Sequence, residues 1–393
     1  MSAADGACDG GCIAPEPGGS PDSMAIDESI VREHIAHVVD LLRASGFAAV
    51  IVFHSSNMLA FTGTPHASSD RLCCGAVTHE GRVVVVCPRF ERPAVAGAER
   101  VATVSTWEEH EDPYACFAEA LRAAGVRGGR VGLDGRTWID AAARLRGACE
   151  GLTLEPGEAL LREVRICKSA AEQEAMRAAH RRGEQVYAKV GELIRPGVRE
   201  VDVERELAAW FEPRGLRVKP LVQSGPNGAV PHNTANERVL REGDAVVVDS
   251  VTQTRGYTND LTRTFVLGRP SEKLARAYRA VRAAQAAVFE AARPGLTCGR
   301  LDEIARRVIA EAGFGEFFIH RLGHGIGIEC HEPPYLVAGS AEVLRPGMCC
   351  TVEPGVYVPG EFGVRIEDDI IVTADGCEVI RGTLPTDVSA AFR

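Results

Sequence analysis

Asp249, Asp260, His324, Glu353 and Glu367 are, by type and setting, ligands for two metal ions. They lie in AVVVDSVTQTRGYTNDLTRTFV, HRLGHGIGIECHEPP, TVEPGVY and GVRIEDDIIV, segments that read as strands or glycine-rich turns. Four carboxylates gathered in one pocket repel one another, and bound cations would neutralise them. One imidazole among oxygen ligands suits Mn²⁺, Co²⁺, Zn²⁺ or Fe²⁺ better than an ion that prefers thiolates. Two such ions roughly 3.5–4 Å apart share a water, lower its pKa and clamp a scissile carbonyl. The expected chemistry is hydrolysis.

Spacing supports this grouping. Pairing the strands around Thr254-Arg255-Gly256 symmetrically about Thr254 and Arg255 sets Asp249 opposite Asp260, about 4.5–5.5 Å apart on one face. Directly opposed carboxylates destabilise a sheet unless something positive lies between them. The turn lacks the Asn-Gly pair that fixes a two-residue hairpin, so it leaves this register open. A second hairpin centred on Gly360 sets Glu353 opposite Glu367. Arg365 shares the face of Glu367 because strand side chains alternate.

These motifs resemble the pita-bread metallopeptidases, which include Xaa-Pro aminopeptidase (aminopeptidase P), prolidase and methionine aminopeptidase. The family's Asp, then Asp eleven positions later followed by x-Thr-Arg-Thr, stands here as Asp249 and Asp260-Leu261-Thr262-Arg263-Thr264. His324 takes the ligand position of Gly-His-Gly-x-Gly, Glu353 that of Glu-Pro-Gly, and Glu367 that of Val-Arg-Ile-Glu-Asp. The resemblance extends to the proline-specific branch. His232 lies in SGPNGAVPHNTANERVL, His320 four residues before His324 and His331 seven after it. Arg365 matches the arginine beside the last glutamate, and Tyr257 the tyrosine before the second aspartate. One departure is visible: the usual Asp-x-Gly at the first ligand is Asp249-Ser250-Val251.

The resemblance is close over residues 165 to 385 and looser before them. It implies substrate binding by His232, His320, His331, Arg365 and Tyr257, and catalytic roles for His331, Glu353 and His320. Glu353 would serve as both ligand and proton shuttle. Two divalent ions per chain, Mn²⁺ first among them, would supply a bridging hydroxide that attacks the bond before proline. Aminopeptidase P and prolidase activities remain open. The complete ligand set argues against a metal-free creatinase or ectoine-hydrolase type of C–N hydrolase. It argues equally against a non-catalytic peptide-binding relative.

The chain of 393 residues is long enough for two or three domains, and its 45% hydrophobic and 25% charged residues are ordinary for globular proteins. A net charge of −10 disfavours nucleic acid and anionic membranes as partners. Apolar runs such as FAAVIVF fall far short of a membrane span. Residues 1–26, acidic and rich in Gly and Pro, read as a disordered tail without a secretory signal. Thirteen scattered cysteines fit reduced thiols in a cytoplasmic protein, Cys330 among them as a packing residue.

Positioning these residues requires two domains. Residues 27–160 alternate helix and strand: a helical stripe over 28–45 ended by Gly46, then FAAVIVF and RVVVVC as strands. They read as an N-terminal creatinase-like α/β domain. Residues 161–393 open with Ser169 and Glu172 spaced as a capping box. Helices followed by a hairpin then occur twice, before Asp249 and before His324. The resemblance implies the same α/β (α+β) class, a pita-bread domain with pseudo-twofold αβ halves around a curved antiparallel sheet. It also implies a homodimer.

Overall fold

The first helix begins where a side chain satisfies its free N–H groups. Asp27 Oδ1 accepts the Ser29 N–H at 2.8 Å ahead of α1 (Glu28–Ser45), and Gly46, at φ 71°, ends it in the left-handed conformation. There follow β1 (Phe47–Val52), α2 (Ser55–Thr62), β2 (Cys74–Thr78), β3 (Val83–Pro88), β4 (Thr103–Trp107) and α3 (Pro113–Ala123). Then come β5 (Gly129–Leu133), α4 (Ile139–Ala148), β6 (Leu152–Pro156) and α5 (Glu158–Ile166). The strands form one sheet in the order β4-β3-β2-β1-β5-β6. Pairings are parallel except β1–β2 and β2–β3. Strands β1 to β3 are buried almost throughout, which is why they read as continuous Val, Ile and Ala runs.

This computed structural model describes residues 25–66, 68–212 and 220–381. The tail predicted to be disordered, with Cys8 and Cys12, lies outside them up to residue 24. The chain divides into two compact units, one of residues 24–165 and one opening at Ile166. Among the described residues no helix is long and apolar enough to cross a membrane.

In the second unit Ser169 and Glu172 form the predicted capping box at α6 (Ala170–Leu193). Then come α7 (Glu200–Phe211), β7 (Leu221–Ser224), β8 (Ala245–Thr254) and β9 (Tyr257–Val266). The pattern repeats with α8 (Glu272–Ala291), α9 (Cys298–Glu311), β10 (Gly323–Gly325), β11 (Glu332–Leu336) and β12 (Cys349–Val352). Strands β13 (Gly355–Val358), β14 (Phe362–Arg365), β15 (Asp368–Val372) and β16 (Cys377–Val379) complete it. Each half has its own core, one around α6, α7 and β7–β9, the other around α8, α9 and the later strands. A bridge between Thr262 and Glu367 joins the two sets of strands. The fold is thus a creatinase-like α/β domain followed by a pita-bread domain of two αβ halves, as expected.

The internal twofold shows in matched hydrogen bonds. Arg195-Pro196-Gly197 and Arg293-Pro294-Gly295 precede α7 and α9. Gly197 and Gly295, both left-handed, donate to the carbonyls of Leu240 and Leu344. Those leucines belong to Val-Leu-Arg-Glu-Gly (239–243) and Val-Leu-Arg-Pro-Gly (343–347). Six residues beyond the closing glycines stand Asp249 and Glu353, so these two acids are counterparts in the two halves.

Candidate active site

The hairpin of β8 and β9 turns at Arg255 (φ 51°) and Gly256 (φ 77°), not at Thr254 and Arg255. Both central residues are left-handed, as the tightest hairpin turns require, and glycine takes that conformation without steric cost. The register therefore differs from the predicted one by a single pair. Asp249 faces Thr262, and Asp260 faces Val251. The two aspartates still share one face, as diagonal neighbours about 7–8 Å apart rather than directly opposed. The second hairpin follows the predicted register, with Gly355 opposite Arg365 and Val352 opposite Asp368. Glu353 and Glu367 sit where both strands break between these pairings. Buried Arg263 spans that break, donating to the Glu367 carbonyl at 2.6 Å and to Asp368 Oδ1 at 2.5 Å. Gln285 from α8 reaches the carbonyls of Val352 and Ile366 beside the two glutamates.

The acid and imidazole groups gather around His324 and Asp260. Donor atoms of Asp260, His324 and Glu367 lie within 4.8 Å of one another. His324 Nδ1 donates to the Gly325 carbonyl at 3.0 Å, which turns Nε2 toward Glu353 Oε1 (3.3 Å) and Asp260 Oδ2 (4.0 Å). Asp249 Oδ2 accepts from Arg365 Nη2 at 2.6 Å, and Glu367 Oε2 from the Thr262 hydroxyl at 2.6 Å. Burial, then the charges of neighbouring acids, push the carboxyls of Asp260 and Glu367 well above the usual carboxylate range. Burial would raise Glu353 too, but the His324 imidazole, then His320 and Arg365, hold it below the usual carboxylate range. Asp260 Oδ1 is buried without a hydrogen-bond partner. An unsatisfied oxygen among mutually repelling acids, with an imidazole nitrogen aimed at them, fits a divalent cation.

The histidines divide. His331 is exposed and packs its ring against His324, centroids 4.1 Å apart. Despite that exposure, partial desolvation of the ring and then the neighbouring His324 lower its pKa to about 4, so it is neutral near pH 7. His232 is also exposed, on the loop after Gly225–Ala229, with its pKa lowered by desolvation and then by Arg365. His320 departs from expectation, because both its ring nitrogens are engaged. Nδ1 meets the Arg321 carbonyl at 2.7 Å and Nε2 the Tyr357 hydroxyl at 2.9 Å. With no ring nitrogen left for substrate, it reads as a positioning residue.

Two further expectations need correction. Tyr257 is fully buried and donates its hydroxyl to Glu172 Oε1 at 2.8 Å, so it presents no surface to a substrate. Arg365 is 2% exposed and spends its guanidinium on Asp249, Thr262, Tyr357 and the Pro231 carbonyl. Through Pro231 it ties the first aspartate to the loop of His232. Sequence reasoning missed Tyr357, which accepts from Arg365 Nη1 at 3.0 Å and bonds His320. It also set Cys330 aside as packing. Its Sγ lies 3.2 Å from Asp260 Oδ2.

Fold and site together define a two-domain metallopeptidase. Residues 174–374 match the model of metallopeptidase family M24, and residues 34–167 the creatinase/prolidase N-terminal domain. The chain belongs to metallopeptidase family M24, whose members work with divalent metal ions. It is 37% identical over 362 residues to the probable dipeptidase PepE of Mycobacterium tuberculosis, covering 90% of this chain and 95% of that one. It is 32% identical to an Xaa-Pro dipeptidase of Lactobacillus helveticus, over 82% and 89% of the two chains. The crystal structure of a dipeptidase from Pyrococcus horikoshii OT3 superposes with a TM-score of 0.82 at 32% identity, covering 90% of this chain and 99% of the other.

Proposed function

We propose that this metallopeptidase is an Xaa-Pro dipeptidase, with Asp249, Asp260, His324, Glu353 and Glu367 holding two divalent ions, Mn²⁺ foremost. The convergence of Asp260, His324 and Glu367 within 4.8 Å, with an orphaned carboxylate oxygen among them, carries the reading. Relatives that are named dipeptidases and align over most of both chains support the dipeptide substrate. The ions, when bound, would lower the pKa of a shared water and polarise the scissile carbonyl.

The protein groups do the rest. Glu353, ionised near pH 7, takes a proton as water attacks the carbonyl carbon before proline, and returns it to the prolyl nitrogen as the C–N bond breaks. Neutral His331 donates a hydrogen bond to the oxyanion that develops on the carbonyl. His232 orients the peptide from the opposite loop. Arg365 and Tyr357 fix Asp249 and His320 from behind. Bonding Asp249 to a guanidinium also limits the negative charge the cations must balance. We place the enzyme in the cytoplasm as a homodimer, the latter tested by light scattering.

Comparing Gly-Pro with Gly-Pro-Ala tests the substrate class. A dipeptidase cleaves Gly-Pro at least about tenfold faster in kcat/KM, a difference of about 1.4 kcal/mol. Preference for the tripeptide would make it an aminopeptidase P instead.

A further inference from the structure

Cys330 belongs to a second donor set that overlaps the carboxylate cradle. Its Sγ and the ring nitrogens of His324 and His331 lie within 4.8 Å of one another. Asp260 adjoins them. Its Oδ2 accepts the thiol at 3.2 Å and stands 4.0 Å from His324 Nε2, and its buried Oδ1 has no partner. Two imidazoles, a sulfur and a carboxylate oxygen are donors for Zn²⁺ and softer ions, whereas Mn²⁺ prefers oxygen.

We propose that His324, Cys330 and His331, with Asp260 as fourth donor, form a site for one thiophilic divalent cation such as Zn²⁺ or Cd²⁺. The site shares His324 and Asp260 with the carboxylate cradle. A tetrahedral Zn²⁺, with nitrogens at about 2.0 Å and sulfur at about 2.3 Å, holds its ligand atoms roughly 3.3–3.6 Å apart. Among His324, Cys330 and His331 the widest separation therefore closes by little more than about 1 Å. Cys330 and His331 are consecutive on the partly exposed segment between β10 and β11, where such a shift is local. On binding, the thiol proton passes to water and sulfur becomes the ligand, with no change of oxidation state.

The shared residues make the two donor sets rivals. A hard ion draws on the carboxylates, and a soft ion draws on Cys330 and takes His331 with it. If the peptidase reading holds, a thiophilic ion is then an inhibitor that removes the oxyanion donor. The site itself rests on geometry alone.

Co²⁺ titration of the metal-stripped full chain, followed by absorption, tests the proposal. The wild type should show a near-ultraviolet sulfur-to-cobalt charge-transfer band. Cys330→Ser and Cys330→Val should lose it, with melting curves confirming that they fold. In the wild type itself, Cd²⁺ should protect Cys330 from iodoacetamide, read by peptide mapping. Absence of the band, its persistence in both variants, or unprotected Cys330 would each overturn the site. Because the readouts are absorption and alkylation, a chain without peptidase activity would still return the predicted result.

Discussion

At Asp260 and Glu367 burial and neighbouring carboxylates favour the protonated form, so each ionised acid is a strain that a cation would relieve. An acid whose folded pKa is raised binds its proton more tightly in the native state, so metal-free stability falls as pH rises through that range. Glu367→Gln should therefore raise the melting temperature of the metal-free chain at pH 7 while lowering the metal it retains. Calorimetry and elemental analysis on one preparation would show both changes, and unchanged metal content would remove Glu367 from the ligand set. His331 makes a different prediction. His331→Ala should lower kcat by roughly 10²-fold, the usual loss for an acid–base group or one oxyanion donor, with metal content near normal. Unchanged turnover with a lower melting temperature would make it a packing residue. The candidate ligand types were legible because few other roles gather four acids and a histidine in strand segments. Cys330 was not, since buried cysteine is common and only the fold shows its sulfur beside Asp260.

At the scale of elements, the segment carrying Cys330 and His331 is fastened by a buried ion pair. Lys168 Nζ lies 2.7 Å from Glu332 Oε1, with side chains 1% and 5% exposed. Removing one partner strands the other charge in a low-dielectric setting. Lys168→Met should cost about 3–5 kcal/mol in urea unfolding, and adding Glu332→Gln should recover part of it. No recovery would mean that the lysine acts through packing rather than charge. The two hairpins show what sequence can and cannot locate. Gly360, in Pro-Gly-Glu-Phe-Gly, marked its turn centre, and the Glu353–Glu367 register followed. At Thr254-Arg255-Gly256 the centre depended on Arg255 adopting φ 51°, a conformation that composition does not announce. The paired Val-Leu-Arg-x-Gly motifs were a readable sign of the twofold, hidden by low identity elsewhere between the halves.

Across the whole catalytic unit, His180 on α6 of the first half faces Asp369 on β15 of the second, at 3.7 Å, and Glu184 at 3.5 Å. Asp369 Oδ2 in turn accepts the Asp260 N–H at 3.2 Å, so this contact between halves reaches the carboxylate cradle. Burial would lower the His180 pKa, but the carboxylates of Asp369 and Glu184 raise it to about 9. A raised imidazole pKa contributes stability that is fully present below about pH 6.5 and lost as pH climbs through 9. The loss is on the order of 3 kcal/mol at most. Denaturant titrations of the metal-free chain from pH 6 to 10 should show this decline, and His180→Gln should flatten it. An identical slope in the variant would assign the decline to other groups.

The most direct test of metal-dependent Xaa-Pro hydrolysis is the rate of Gly-Pro cleavage by the full chain in three states: as purified, after exhaustive chelation, and after adding back Mn²⁺. Cleavage should vanish on chelation and return with Mn²⁺ in the wild type, and should not return in Glu367→Ala. A Gly-Pro rate that survives complete removal of metal, verified by elemental analysis, would contradict the account and place the chemistry on the protein's own side chains.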